Sequence, residues 1–532
     1  MAHSGQRAGG CVAADAMEPN SSDPNAGAEQ AALGGLAGSK TDQHSVFFRH
    51  EMKRAAPWST LAAVLRQGGS LLSVALIARM LTPSDFGVAA IVISMVGLVV
   101  PLVQLGLLQG IVAFAEAPRR LIDSLLWLSI GLSLLAYFLL AAMSEQIAAL
   151  YRTPELATLL PAGLLIIVGQ NLFGLVTADL QRKLDYRIQS YMAGCLPFFG
   201  IILGVPLAFM HLGAWALIVP QIVGNFAAAF LGILLGRLSV QPVFETRGLR
   251  PILHFSSRIM LTNVMMYFSN SGTALVTGRY WSSYAVGLYN FAATNNARLM
   301  DVMASPISPY LFQILSKIGD NKQAMRRSML EYMSLAQIYL LPIFALLFLT
   351  AAPVLRIVFG PQWGEAAPYF QALLCVSAAK TMNAGTSTVI SVLKHGGIML
   401  ASGIVRAAIV LIILVGTLAY GVSPLDTVIL LAISDSIVYL AFVPIGLGLV
   451  DANFADYFRT ARGPSLTSGL LAGSLYLAKA GVGHFLPMTD WLVLALLLLF
   501  AIIHLAVVAR IYRYSLQDVA RMIRTRLRTK AS

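Results

Sequence analysis

Apolar residues run in continuous blocks along most of this chain, with neither the alternation of a half-buried strand nor the 3.6-residue stripe of a surface helix. From Trp58 onward, fourteen blocks are long enough to cross a bilayer: 59–80, 86–112, 121–143, 156–178, 188–210, 213–236, 256–278, 284–312, 330–352, 366–390, 398–420, 426–450, 465–484 and 490–511. A spanning helix needs about 20 mainly apolar residues. Unbroken blocks indicate helices, since barrel strands alternate in polarity. The pattern therefore predicts an all-α integral membrane protein of about 14 transmembrane helices. Residues 1–45 differ, being rich in Ala, Gly, Ser, Asn and Asp without apolar periodicity. Such a segment cannot bury a core and reads as a disordered cytoplasmic tail over 1–51. Met52-Lys53-Arg54, directly before the first block, is a second candidate for the native start.

Polar positions between the blocks carry the orientation. The loops that share a side with the N-terminus hold Arg119 and Arg120; Arg182, Lys183 and Arg187; Arg237, Arg247 and Arg250; Lys317, Lys322, Arg326 and Arg327; Lys394; and Arg459 and Arg462. Opposite loops lean acidic, through Asp85, Glu145, Glu155, Glu365 and Asp490. Basic loops stay in the cytoplasm, so both termini are expected inside. Arg510, Arg513, Arg521, Arg524, Arg526, Arg528 and Lys530 then fall in a cytoplasmic tail, which either lies on anionic headgroups as an amphipathic helix or is simply solvated.

An internal repeat divides the chain. Arg79-Met-Leu-Thr-Pro-Ser-Asp-Phe-Gly87 returns two hundred residues later as Arg279-Tyr-Trp-Ser-Ser-Tyr-Ala-Val-Gly287. Each has Arg at a helix end, a short polar turn and Gly opening the next helix. The expected organisation is an N-lobe over 52–236, a basic linker over 237–254, a C-lobe over 255–450, a terminal helix pair over 451–512 and a basic tail over 513–532. Two six-helix lobes related about the membrane normal would enclose a central cavity.

Composition sharpens the picture. Of 532 residues, 57% are hydrophobic and only 11% charged, which excludes a large soluble enzyme. The formal net charge of +13 is explained by the cytoplasmic loops, so nucleic acid is not an expected partner. Three scattered cysteines form no disulfide framework or metal spacing. No Walker or HExxH motif is present, and no cofactor is implied.

The chemistry left over is the charge inside the spans, where each ionisable group costs about 2.5–3.5 kcal/mol on insertion scales. The cations are Arg66, Arg258, Arg298, Lys380, Arg406 and Lys479; the deep carboxylates are Asp301 and Asp435. The excess of cations points to an anionic cargo. Arg66, Arg298, Lys380, Arg258 and Arg406 are the candidate substrate-binding residues, while Asp301 and Asp435 could bind a coupling ion. Each has a plainer alternative: Arg66 could snorkel to the interface, Asp301 at i+3 could neutralise Arg298, and Arg258 and Arg406 lie nearer the cytoplasmic ends. Helix-end capping is the plain account of Arg79 and Arg279. Pro306 and Pro309 are the expected hinge.

The repeat motifs, together with Phe359-Gly-Pro-Gln-Trp363 after the ninth block, resemble the polysaccharide transporter branch of the MOP flippases, the Wzx-like proteins. That resemblance implies two helical bundles working by alternating access. It also implies translocation of undecaprenyl-diphosphate-linked oligosaccharides across the bacterial inner membrane for exopolysaccharide, capsule or O-antigen synthesis. The implied partners are the polyprenyl-diphosphate-linked oligosaccharide, membrane lipids and the polymerase and chain-length machinery. Competing readings are a lipid II flippase, a cation-coupled multidrug exporter of the MATE branch, and a membrane polymerase or glycosyltransferase. The outer loops near 144–155 and 353–365 are short for the last of these.

Overall fold

The computed structural model describes residues 66–107, 118–183, 185–236, 249–270, 272–304, 321–393 and 395–485, with isolated positions between 311 and 318 and between 490 and 499. These belong to one compact unit, Ser59–Ser532. The N-terminal tail, Met52, most of the basic linker, Pro306, Pro309, nearly all of the last span and the basic C-terminal tail lie outside the described residues.

Every regular element among the described residues is helical. Helix α1 runs over 66–78 and α2 over Pro83–Gln104; α3 is Arg119–Ala142, α4 Ser144–Tyr151, α5 Leu156–Gly163 and α6 Leu165–Arg182. Helix α7 (Tyr186–Phe199) passes through a π-turn, Gly200–Gly204, into α8 (Val205–Phe209), and α9 is Trp215–Gly236. The second half has α10 (Leu249–Asn270), α11 (Thr273–Thr277), α12 (Ser283–Ala304) and α13 (Lys322–Phe359). A 3-10 turn, Pro361–Ala366, then leads into α14 (Ala367–Met382), α15 (Thr386–Val392), α16 (Gly396–Ala419), α17 (Pro424–Leu449) and α18 (Phe454–Phe485).

Eight helices among the described residues are long and apolar enough to cross a membrane. Those that fall short include α10 and α12, whose sequences carry Ser, Asn, Thr and Arg through their length. Ser256 of α10 and Asn295 and Asn296 of α12 are buried.

Several boundaries differ from the apolar pattern. The block at 330–352 sits inside a helix of 38 residues that starts at Lys322. At 1.5 Å per residue it is about 57 Å long, well beyond a hydrocarbon core of about 30 Å. Lys322, Arg326 and Arg327 therefore stand on helix, not loop. Likewise α18 begins at Phe454 and takes in Arg459 and Arg462. The expected outer loop at 144–155 contains α4, and that at 353–365 is helical to Phe359 and then 3-10. Two blocks are broken helices. Residues 156–178 divide at Leu164, three residues after Pro161, and 366–390 divides at Asn383–Gly385, where Gly385 has φ +93°. In α7 the π-turn follows Pro197 and precedes Pro206, a usual cause of a kink.

Local chemistry explains the starts. Thr82 caps α2 in a reciprocal box: the Asp85 amide donates to Thr82 Oγ1 at 3.3 Å, and the Thr82 amide donates to Asp85 Oδ2 at 2.9 Å. Two hundred residues on, the Ala285 amide donates to Ser282 Oγ at 3.3 Å, the same cap without the returning carboxylate.

Helices α2 and α12 make the most extensive packing between the two halves. At their crossing Gly87 faces Ser283 and Gly287 faces Pro83. A Cβ on either glycine would stand 1.8 Å from the facing carbonyl oxygen, so backbone lies on backbone. The 200-residue offset relates both contacts, which makes the crossing locally two-fold. Phe86, Phe291, Phe359 and Trp363 pack beside it, with the Trp363 and Phe291 rings stacked at 3.7 Å between centroids. One apolar cluster runs from Ile77 to Val428 through both halves.

The Phe-Gly-Pro-Gln-Trp motif bonds back to the end of α1. Trp363 Nε1 and Gln362 Nε2 both donate to Ala78 O at 2.8 Å. Arg79 returns the favour, its guanidinium donating to Ile357 O at 2.5 Å and Val358 O at 3.1 Å at the end of α13. Arg79 thus caps a helix, but that of the other half. Trp363→Phe keeps the stack on Phe291 and removes one donor. It is expected to lower stability by about 0.5–1.5 kcal/mol, read as a small fall in the melting midpoint of the purified protein.

Candidate functional site

At the far end of α13 from the glycine crossing, ion pairs tie α13 to the start of α18. Lys322 Nζ lies 2.9 Å from Asp451 Oδ2, and Arg326 pairs with Asp456. Between these two ends, the second half encloses a polar cavity of about 260 Å³.

Five helices build this cavity. Helix α11 supplies Thr273; α12 supplies Tyr289, Asn296 and Asp301; α14, α16 and α17 supply Lys380, Arg406 and Asp435. Asn296 is fixed by Ser377 Oγ, which donates to its Oδ1 at 3.0 Å. Arg406 and Asp435 meet fork to fork, Nε to Oδ1 at 3.0 Å and Nη2 to Oδ2 at 3.1 Å, with side chains only 13% and 18% exposed. The Arg406 guanidinium lies 4.9 Å from the centre of the Tyr439 ring, and Lys380 Nζ lies 5.4 Å from the same ring. Among the described residues no carboxylate is within ion-pair distance of Lys380. Its ammonium is the less committed of the two cations.

Four of the seven residues singled out from the sequence therefore meet in one cavity: Lys380, Arg406, Asp301 and Asp435. The other three do not join them there. Arg66 is exposed at the start of the described part of α1, and the side chain of Arg258 lies outside the described residues. Arg298 is largely buried, is not part of this wall, and leaves Nη1 without a hydrogen-bond partner. It forms no ion pair with Asp301, since that carboxylate turns to the cavity instead. The cavity's formal charges balance, two cations against two carboxylates. The cationic excess read from the sequence is thus not concentrated here.

Sequence reasoning passed over the neutral polar groups. Tyr439 stands at i+4 from Asp435 and so shares its helix face, which was the available signal. Asn296 had only its polarity within an apolar block to mark it, whereas Tyr289 closes the Gly287-Leu-Tyr motif near the start of α12.

The sequence model described as "Polysaccharide biosynthesis protein" matches residues 76–368. The chain is 23% identical over 371 residues to the succinoglycan biosynthesis transport protein ExoT of Rhizobium meliloti (strain 1021), covering 69% of this chain and 74% of that one. It is 24% identical over 339 residues to the lipopolysaccharide biosynthesis protein WzxC of Escherichia coli (strain K12), covering 62% of this chain and 67% of that one. Among solved structures, the lipid II flippase MurJ in an inward closed conformation superposes with a TM-score of 0.68 at 15% identity, over 87% of this chain and 99% of that one. An inward-facing MATE multidrug resistance transporter gives 0.55 at 14% identity, over 75% and 98%. The matched sequence model spans more than half of the chain, and this multi-pass membrane protein belongs to the polysaccharide biosynthesis protein family.

Proposed function

We propose that the protein carries polyprenyl-diphosphate-linked oligosaccharides across the bacterial inner membrane by alternating access, with both termini in the cytoplasm. The observation that supports this reading best is the pair Lys380 and Arg406 on the wall of one cavity, in a chain whose relatives are named for succinoglycan and lipopolysaccharide biosynthesis. A phosphate oxygen about 4 Å from one cation gains about 4 kcal/mol at an effective dielectric of 20, before desolvation. Lys380 supplies a point charge without a carboxylate partner. Arg406 offers a planar fork already held in place by Asp435. Asp301 and Asp435 are the carboxylates through which an ion could be coupled, and Arg66, Arg258 and Arg298 would assist elsewhere along the path. A carrier of cationic drugs would want an excess of carboxylates, whereas here the formal charges of the wall balance. Polymerase and chain-length proteins would receive the exported units.

The test is Lys380→Ala beside Lys380→Arg in the producing strain, with membrane levels checked. Lys380→Ala should cut polymer output at least about tenfold, the effect of about 1.4 kcal/mol. Undecaprenyl-diphosphate oligosaccharide should then accumulate on the cytoplasmic leaflet, and Lys380→Arg should restore part of the output. Normal output from Lys380→Ala, or repeat units appearing outside unpolymerised, would remove the assignment.

A further inference from the structure

A second cavity of about 250 Å³ adjoins the first, and Arg406 lines both. Its walls come from α10, α15, α16 and α17 and from the break between α14 and α15. Met265, Met266, Met399 and Phe442 make most of it apolar. Asn383 and Thr386, at the helix break, are among its lining residues, and Asn383 Oδ1 and Thr386 Oγ1 are buried behind its surface without a hydrogen-bond partner among the described residues. Thr386 is 1% exposed. The break is built to place them. Gly385 takes φ +93°, and a Cβ there would stand 3.2 Å from the Tyr332 ring, so α14 stops and α15 restarts within three residues. Interrupted helices of this kind present polar groups inside membrane carriers.

A buried polar group without a partner costs about 1–3 kcal/mol. Two behind one cavity wall are answered by a ligand that brings donors, toward which the Asn383 and Thr386 side chains turn. An apolar enclosure with a few placed polar groups is the usual make-up of a small-molecule site, whose volumes start near about 300 Å³. The space is that of one ring, not of a long chain. A prenyl chain would suit the methionines but leave Asn383 Oδ1 unsatisfied. A pyranose answers both demands, since it carries hydroxyl donors on its rim and apolar C–H faces that pack on Met and Phe side chains.

We propose that this second cavity is a sugar subsite, which holds the sugar nearest the diphosphate while the phosphates lie against Lys380 and Arg406. The proposal rests on the transport reading above. Arg406 divides the two compartments, with phosphate on one side and sugar on the other. Asn383 accepts from one sugar hydroxyl, and Thr386 exchanges a hydrogen bond with a second. Asn383 and Thr386 thereby become specificity-determining residues for the first sugar of the cargo.

Binding to the full chain in lipid nanodiscs tests this by native mass spectrometry. The probes are undecaprenyl diphosphate alone and undecaprenyl diphosphate bearing one glucose, galactose or N-acetylglucosamine. At least one glycosylated probe should bind about tenfold or more tighter than the bare lipid. Asn383→Leu and Thr386→Val should each erase that preference while leaving affinity for the bare lipid unchanged. Thr386→Val keeps the side-chain shape, so it reports even if Asn383→Leu fails to fold. Equal binding of all probes to the unaltered protein, or variants that keep the preference, would overturn the subsite. Equal weakening of bare and glycosylated lipid would give the cavity to the prenyl chain and overturn it as well. Lys380→Ala separates the two proposals: it should weaken every probe. If the unaltered protein binds none of them, the transport reading itself falls.

Discussion

Gly87→Ala and Gly287→Ala should each lower the melting midpoint of the purified protein sharply and abolish polymer export in cells. The added Cβ would sit 1.8 Å from Ser283 O in the first case and from Pro83 O in the second, and both obstacles are backbone. No rotamer change relieves them, so α2 and α12 must separate. Overpacking a well-filled core costs about 1–3 kcal/mol. This clash lies at the top of that range or beyond it, because the rigid carbonyls leave the crossing nowhere to relax. Gly416→Ala in α16 is the matching control. Nothing lies within 4 Å of its Cβ position, and its midpoint should not fall. The measurement is thermal unfolding in detergent, followed by size-exclusion recovery. A Gly87→Ala protein as stable as Gly416→Ala would mean that the crossing is not needed for the folded state.

The second large effect lies at Arg406. Removing one partner of a buried pair costs about 3–5 kcal/mol, because the other charge is left without compensation. Arg406→Ala should therefore destabilise strongly, through the stranded Asp435 carboxylate. The reverse single change, Asp435→Leu, removes the carboxylate that meets the guanidinium fork to fork and should also destabilise. Combined as Arg406→Met with Asp435→Leu, the two should recover much of the stability, since apolar replacement of a buried pair is often neutral or favourable. Export should not return with it. Stability restored without transport separates the structural role of the pair from its role toward cargo, and transport restored along with stability would reduce Arg406 to a structural residue. The partial burial of both side chains places the single-mutant loss nearer the lower bound.

The helical, membrane-embedded class was legible in the sequence because bilayer thickness imposes a length on apolar blocks. Where elements outran the blocks, the reason was equally physical. Helix α13 starts ahead of the apolar stretch, at a turn capped by Asn321, where Lys322 and Arg326 pair with Asp451 and Asp456. The breaks at Leu164 and Asn383–Gly385 are conformational events inside apolar runs and leave little mark on hydropathy. Among site residues, charge alone drew attention to Lys380, Arg406, Asp301 and Asp435, which do share a wall. It equally drew attention to Arg298 and Arg66, which do not line it. Charge marks a residue as costly but does not say where its head group points. Tyr439, Asn383 and Thr386 are neutral and so carry no such cost signal. They share a wall only when several distant helices are brought together.

The mutual hold between the end of α1 and the end of α13 bears on how such genes can be inherited. Ala78 O receives Trp363 and Gln362 of the other half, Ile357 O and Val358 O receive Arg79 in return, and each glycine of the crossing needs the other's lack of a side chain. Recombination that joins the front half of one transporter to the back half of a diverged relative would part these matched sets at a single stroke. Hybrids can stay viable only where both parents share them. The seam between the halves must therefore travel as a whole.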